Sequence, residues 1–213
     1  MAAFPQSLAL QPLSLTSQPL DPALQPLDPT LSPAGGAAST VTALALAMQQ
    51  QLQSNWCWAA VGTSVGLFYT TGSWSQCAVA TTSIPNFPGS PAASFDCCNL
   101  AAPCNIYGYL DVSLSTALSF ASMQSGALAF TDLQAQIGSS QRPVCLRIAW
   151  NGSGAHFVAI SGFIVDALGT QYVRVADPGS GAITTQAFST FPANYSSGGT
   201  WTHTYFTRNQ QTP

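Results

Sequence analysis

The stretch Gln51-Leu52-Gln53-Ser54-Asn55-Trp56-Cys57-Trp58-Ala59-Ala60 decides how this chain is read. A cysteine stands between two tryptophans, glutamines precede it and an apolar run follows. Asn55 or Ser54 can cap a helix whose body runs from Trp58 to Tyr69. Ala59, Ala60, Val61, Val65, Leu67 and Phe68 leave that helix apolar on nearly all sides, which predicts a buried central helix. Cys57 then lies at the helix N-terminus, where free backbone N–H groups and the dipole stabilise a thiolate. That marks Cys57 as a candidate nucleophile, against the plainer reading of a buried structural thiol. The Cys57 backbone N–H and the side-chain amide of Gln51, six residues upstream, are candidate oxyanion donors, with Gln53 as the alternative. Trp58 is expected to wall the site and shield its base from water, or to serve as a core anchor.

Working outward, the period of the apolar residues changes along the chain. Tyr109 to Gln124 and Thr131 to Ile137 read as amphipathic helices, and residues 73 to 108 as a long irregular segment. From Pro143 onward the pattern alternates as strands do: Pro143 to Trp150, His156 to Val165, Tyr172 to Ala176 and Trp201 to Thr207. Helices first and antiparallel strands after predict an α+β domain. The turn at Asp166-Ala167-Leu168-Gly169-Thr170 makes the second and third strands a hairpin. The start of one strand lies beside the end of the next, so His156 and Asp177 arrive at one end of the sheet. A carboxylate there can fix the imidazole tautomer and aim its other nitrogen at the thiol. The alternatives are an ordinary core histidine and an Asp177 that only caps a turn before Pro178. His203, the second histidine, is a weaker candidate base because no carboxylate is placed beside it.

Three elements in order carry a resemblance: Gln51 to Ala60, then Gly154-Ala155-His156-Phe157-Val158, then Val175-Ala176-Asp177-Pro178. Together they resemble the papain-like cysteine peptidase superfamily. The similarity is greatest to its bacterial branch of avirulence-type effector peptidases, near the double-glycine leader peptidases. The Gln-x5-Cys-Trp spacing matches the papain pattern, and Asp177-Pro178 fits the bacterial branch, as do Gln76-Cys77 and Cys97-Cys98 to Cys104-Asn105. The resemblance spans roughly residues 48 to 207. It implies a helical lobe carrying the nucleophile helix, packed on an antiparallel sheet lobe carrying His and Asp. It also implies a Cys57-His156-Asp177 triad that hydrolyses peptide bonds without metal or organic cofactor. The same triad serves acyltransferase, transglutaminase-like and deamidase chemistry, and an inactive binding module is the remaining alternative.

Composition sets the surroundings. Charged residues are 5% of the chain, against about 25% in ordinary soluble proteins. Lys and Glu are absent, and Arg142, Arg147, Arg174 and Arg208 are too scattered for a nucleic-acid surface. No apolar run approaches the roughly 20 residues of a membrane span. The expected partner is a protein or peptide substrate, and the expected state a monomer. Cys77, Cys97, Cys98 and Cys104 read as a local disulfide framework rather than a zinc site, since an adjacent doublet suits zinc poorly. Cys145, on an apolar strand, reads as a buried free thiol. Disulfides point to a secreted or exported protein, which the resemblance implies is bacterial, although Met1 to Leu10 lacks the basic and apolar regions of a standard signal.

Residues 1 to 38 form a separate segment, with the catalytic domain from 39 to 213. Gln-Pro-Leu recurs at Gln11, Gln18 and Gln25, and Leu-Asp-Pro at Leu20 and Leu27. Proline at this density predicts an extended leader, either a flexible tail or a propeptide cut near Gly35-Gly36. Asn151 and Asn194 begin short glycosylation sequons, which occur often by chance.

Overall fold

A computed structural model describes residues 38–90 and 95–211. The Pro-rich segment read as a leader lies outside the described residues up to residue 37, and so does the cleavage expected near Gly35-Gly36. The helical part consists of α1 (Cys57–Phe68), α2 (Gln76–Ser83) and α3 (Leu110–Thr116). A fourth helix, α4 (Phe130–Gln134), continues through one wide π turn to Ser139. Strands are β1 (Thr40–Ala43), β2 (Phe120–Ser125), β3 (Val144–Trp150), β4 (Ala155–Val165), β5 (Gln171–Asp177), β6 (Ala182–Ala187) and β7 (Gly199–Thr207). They form one antiparallel sheet ordered β2-β7-β3-β4-β5-β6. β1 takes over from β3 beside the second half of β4, pairing Thr40 to Ala43 with Val165 to Gly162. The architecture is the expected α+β arrangement, a helical group packed on an antiparallel sheet.

Alternation along the strands fills two separate cores, because successive side chains point to opposite faces. Cys145, Phe157, Ala159, Ala176 and Tyr205 face the helical group, where Trp56, Trp58, Val61, Val65, Leu110 and Leu114 meet them. Val144, Leu146, Ile148, Val158, Ile160, Val173 and Val175 face the other way, under Phe130, Leu133, Ile137, Tyr195 and Trp201. α1 is buried at every position from Cys57 to Gly66, as its apolar circumference predicts. It crosses α3 at Gly62, where an added Cβ would lie 2.7 Å from the Ser113 hydroxyl.

Several local expectations are corrected. The helix read from Tyr109 to Gln124 ends at Thr116, and its second half is the strand β2. Leu118 adopts φ 52° and the Ser119 N–H closes back on Leu114 O at 2.8 Å, so the chain reverses there and pairs with β7. The segment 73 to 108 is not wholly irregular: it holds α2, whose start is capped by the Ser75 hydroxyl accepting from Ala78 N–H. Small and polar residues (Gln76, Ala78, Thr81, Thr82) left no apolar stripe to betray it. β6 was also unread, because an exposed edge strand of sequence Ala-Ile-Thr-Thr-Gln-Ala buries almost nothing. The helix at 57 starts with no side-chain cap, since the side chains of Asn55 and Ser54 bond elsewhere. Residues 40 to 48 are β1 followed by a run in which Leu44, Leu46 and Met48 are buried.

Candidate active site

Cys57 opens α1, 9% exposed and one of two free cysteines, the other being the buried Cys145. Three sets of contacts hold the turn before it. Gln76, 2% exposed, accepts from Leu52 N–H and donates to the Gln49 side chain and the Gln50 carbonyl. Gln51 N–H bonds Pro178 O at 2.8 Å, which joins the turn to the residue after Asp177. Asn55 and Asn105 clasp one another: Asn55 N–H donates to Asn105 Oδ1, and Asn55 Nδ2 donates to Asn105 O, both at 2.9 Å. A buried polar side chain that satisfies several backbone groups is costly to remove, so these contacts specify one loop geometry.

The second wall is the segment 104 to 109. Trp56 Nε1 donates to Cys104 O at 2.7 Å, and Trp58 Nε1 donates to Ile106 O at 3.1 Å. Two disulfides, Cys77–Cys98 and Cys97–Cys104, tie this segment to α2, using all four cysteines of the expected framework. Gly108 lies flat on the Trp58 indole, where an added Cβ would sit 2.4 Å from the ring. Asn55, Cys57, Trp58, Tyr107, Gly108, Arg147, Gly154, Ala155 and Phe157 line a cavity of about 290 Å³. A second cavity of about 430 Å³ shares Tyr107, Gly108, Arg147 and Phe157, and continues over Tyr109, Asp111, Met123, His203 and Tyr205. The register explains its floor, since Phe157, Arg147 and His203 are cross-strand neighbours on β4, β3 and β7.

On the sheet side, His156 Nε2 lies 2.6 Å from Asp177 Oδ1. Asp177 Oδ1 also accepts from Gly179 N–H at 2.7 Å, and Oδ2 accepts from the Tyr195 hydroxyl at 2.5 Å. With Nε2 engaged, Nδ1 is the ring nitrogen left to face Cys57, which is near enough to favour the charged imidazole. Burial disfavours a charged imidazole, but the bond to Asp177 and the nearby Cys57 outweigh it and lift the His156 pKa from 6.5 to about 9. Burial likewise opposes charge on Asp177, yet His156, Tyr195 and Gly179 hold its pKa below the ordinary carboxylate value. At neutral pH the pair is therefore imidazolium and carboxylate.

The structure thus brings Cys57, His156 and Asp177 to one place. Gln51 lies in the turn before Cys57, where its Nε2 donates to the carbonyls of Gln53 (3.0 Å) and Ser54 (2.8 Å). Its Oε1 is buried without a partner. Gln53 contributes its carbonyl there, and His203, which lines the second cavity, bonds the hydroxyl of its neighbour Thr202 and among the described residues has no carboxylate at ion-pair distance. Trp58 lines the cavity and is fully buried, but the ring that stacks on His156 is Trp150, 5.9 Å away and inclined by 21°. Trp58 extends from the helix into the helical core, whereas Trp150 ends the strand beside His156.

Trp150, Tyr195 and the Asn55–Asn105 clasp were not found by sequence reasoning. Tyr195 sits in a polar loop that reads only as a sequon. Its one sequence signal is an isolated aromatic among Ser, Asn and Gly. Trp150 had a signal, as the last residue of an alternating strand six positions before His156.

A thiol at the start of a buried central helix, facing a His–Asp pair on the rim of an antiparallel sheet, defines a thiol hydrolase of papain-like architecture. The sequence profile of the family described as papain-like cysteine protease AvrRpt2 matches residues 39–196, and the chain belongs to that family. It is accordingly a cysteine peptidase, whose substrates are proteins or peptides. No curated protein matches the chain. Among the described residues no helix is long and apolar enough to cross a membrane, and the two disulfides are compatible with an extracellular setting.

Proposed function

We propose that the protein hydrolyses peptide bonds through a Cys57-His156-Asp177 triad and a thioester acyl-enzyme. The observation that carries this is the 2.6 Å contact of His156 Nε2 with Asp177, which leaves Nδ1 for the thiol. With the proton held on His156 as the imidazolium, Cys57 attacks the scissile carbonyl as the thiolate. The imidazolium then protonates the leaving amine, and water, deprotonated by His156, releases the acid product. Asp177 orients the ring and stabilises its charged form throughout.

The oxyanion donors in this reading are the Cys57 backbone N–H and the Gln51 amide. Gln51 rests with both Nε2 hydrogens on carbonyls of its own turn and its Oε1 unpaired, an arrangement that costs about 1–3 kcal/mol for the orphaned oxygen. A developing oxyanion can compete for one of those hydrogens. The segment 1 to 38 is read as a leader removed or displaced on activation, and the protein as a secreted bacterial monomer.

The test is selective alkylation with iodoacetamide, together with cleavage of casein. Cys57→Ala is expected to abolish both, and Gln51→Ala to lower kcat about 100-fold with KM little changed. Full casein cleavage by Cys57→Ala would sink the reading. A mass gain of about one dalton per modified glutamine, with backbones intact, would move the chemistry to deamidation.

A further inference from the structure

We propose that Tyr195 is a positioning residue that locks the Asp177 carboxylate in the orientation His156 requires. The inference rests on the triad reading above. The two carboxylate oxygens are held from different sides: Oδ1 by His156 and Gly179 N–H, Oδ2 by the Tyr195 hydroxyl. Rotating the carboxylate about its Cβ–Cγ bond would break all three contacts. Without Tyr195, only the Oδ1 contacts would oppose that rotation.

Tyr195 is itself immobilised. It is 7% exposed, with its ring 5.4 Å from Phe191 and 6.4 Å from Trp150. Trp150 also stacks on His156, so one indole contacts both partners of Asp177. The backbone completes the unit. Tyr195 N–H bonds Pro192 O, Gly198 N–H bonds Tyr195 O, and Asn151 N–H bonds Gly198 O, at 3.0, 2.9 and 3.1 Å. The loop bearing Tyr195 is thereby tied to the turn that follows Trp150. Burial, and then the adjacent carboxylate, push the Tyr195 pKa up, so the hydroxyl remains a donor across the working range. The titratable groups facing this unit are Cys57 from α1, His156 from β4, Asp177 from β5 and Tyr195 from the segment before β7.

The experiment compares the full chain with Tyr195→Phe, which keeps the ring and its packing. Two readouts are used: the His156 imidazole titration by NMR, and kcat and KM on a peptide the wild type cleaves. Loss of the O–H donor leaves more negative charge facing His156, so its titration midpoint should rise by about half a unit. Looser orientation should lower kcat about tenfold with KM within twofold. In an Asp177→Ala background the same change should do nothing further, because its only route is through Asp177. An unmoved midpoint, with kcat unchanged or lowered only in step with thermal stability, would overturn the proposal. So would a full effect of Tyr195→Phe in the Asp177→Ala background. The NMR readout needs no turnover. If the midpoint rises while no peptide is cleaved even by wild type, the hydrolase reading fails and the positioning role stands.

Discussion

Replacing Gly108 by alanine tests the wall of the cleft. The new Cβ would lie 2.4, 2.5 and 2.6 Å from Cε2, Cδ2 and Nε1 of Trp58. Carbon atoms in contact settle near 3.5–4.0 Å, so about 1 Å of separation must be found. The indole cannot yield: it is fully buried, packed edge-on against Phe87 with centroids 5.0 Å apart, and bonded through Nε1 to Ile106 O. The segment 104 to 109 must yield instead. Moving it strains the packing, at about 1–3 kcal/mol. It also stretches the Trp58–Ile106 bond and strands a buried donor, at about 1–3 kcal/mol more. Urea unfolding should therefore show a loss of about 2–6 kcal/mol. The catalytic rate should suffer too, because Gly108 lines the cavity beside Cys57. Gly152→Ala is the control: nothing lies within 4 Å of its added Cβ, and the loss there should stay under about 0.5 kcal/mol. Pairing Gly108→Ala with Trp58→Phe should recover part of the cost of the alanine, since the shorter ring vacates the contested space. A Gly108→Ala loss as small as that of the control would refute the reasoning, as would a strictly additive double variant.

Asp177→Asn removes the charge that favours the His156 imidazolium. The raised pKa must then fall from about 9 toward 6.5, and the NMR midpoint should drop by a unit or more. An unchanged midpoint would mean that Asp177 does not hold the ring's charge. Replacing Cys97 and Cys104 together by serine opens a bridge between residues seven apart, both almost fully buried. The loss in non-reducing urea unfolding should be about 2 kcal/mol, with a larger fall in kcat/KM than the corresponding Cys77–Cys98 pair gives. The larger kinetic effect is expected because Cys104 also receives the Trp56 indole N–H next to the nucleophile. Equal kinetic effects from the two pairs would contradict it.

Much of the fold was legible in residue pattern alone. The alternation of Val144, Leu146 and Ile148 found β3, and the turn at Asp166 to Thr170 paired β4 with β5. Where the pattern misled, local propensity met a tertiary constraint. Phe120 to Gln124 continues a helical spacing, but its backbone hydrogen bonds go to β7, a strand some 80 residues downstream that no local window contains. α2 and β6 were missed for the opposite reason. Their side chains are small or polar, so neither leaves the periodic apolar signature on which such reading depends.

By itself the sequence placed a cysteine at a helix start, and a histidine and an aspartate at matching ends of one hairpin. Hairpin register is a local quantity, so it sufficed to pair His156 with Asp177; bringing Cys57 beside them took the packing of α1 on the sheet. Only the tertiary structure decided what surrounds them. Trp150 stacks on His156, Tyr195 holds Asp177, and the disulfide-tied segment 104 to 109 supplies the wall over Trp58. Those partners are set by how the two faces of the sheet are filled and by where loops 104 to 109 and 188 to 198 close. These are packing outcomes between segments distant in sequence, and no spacing along the chain encodes them.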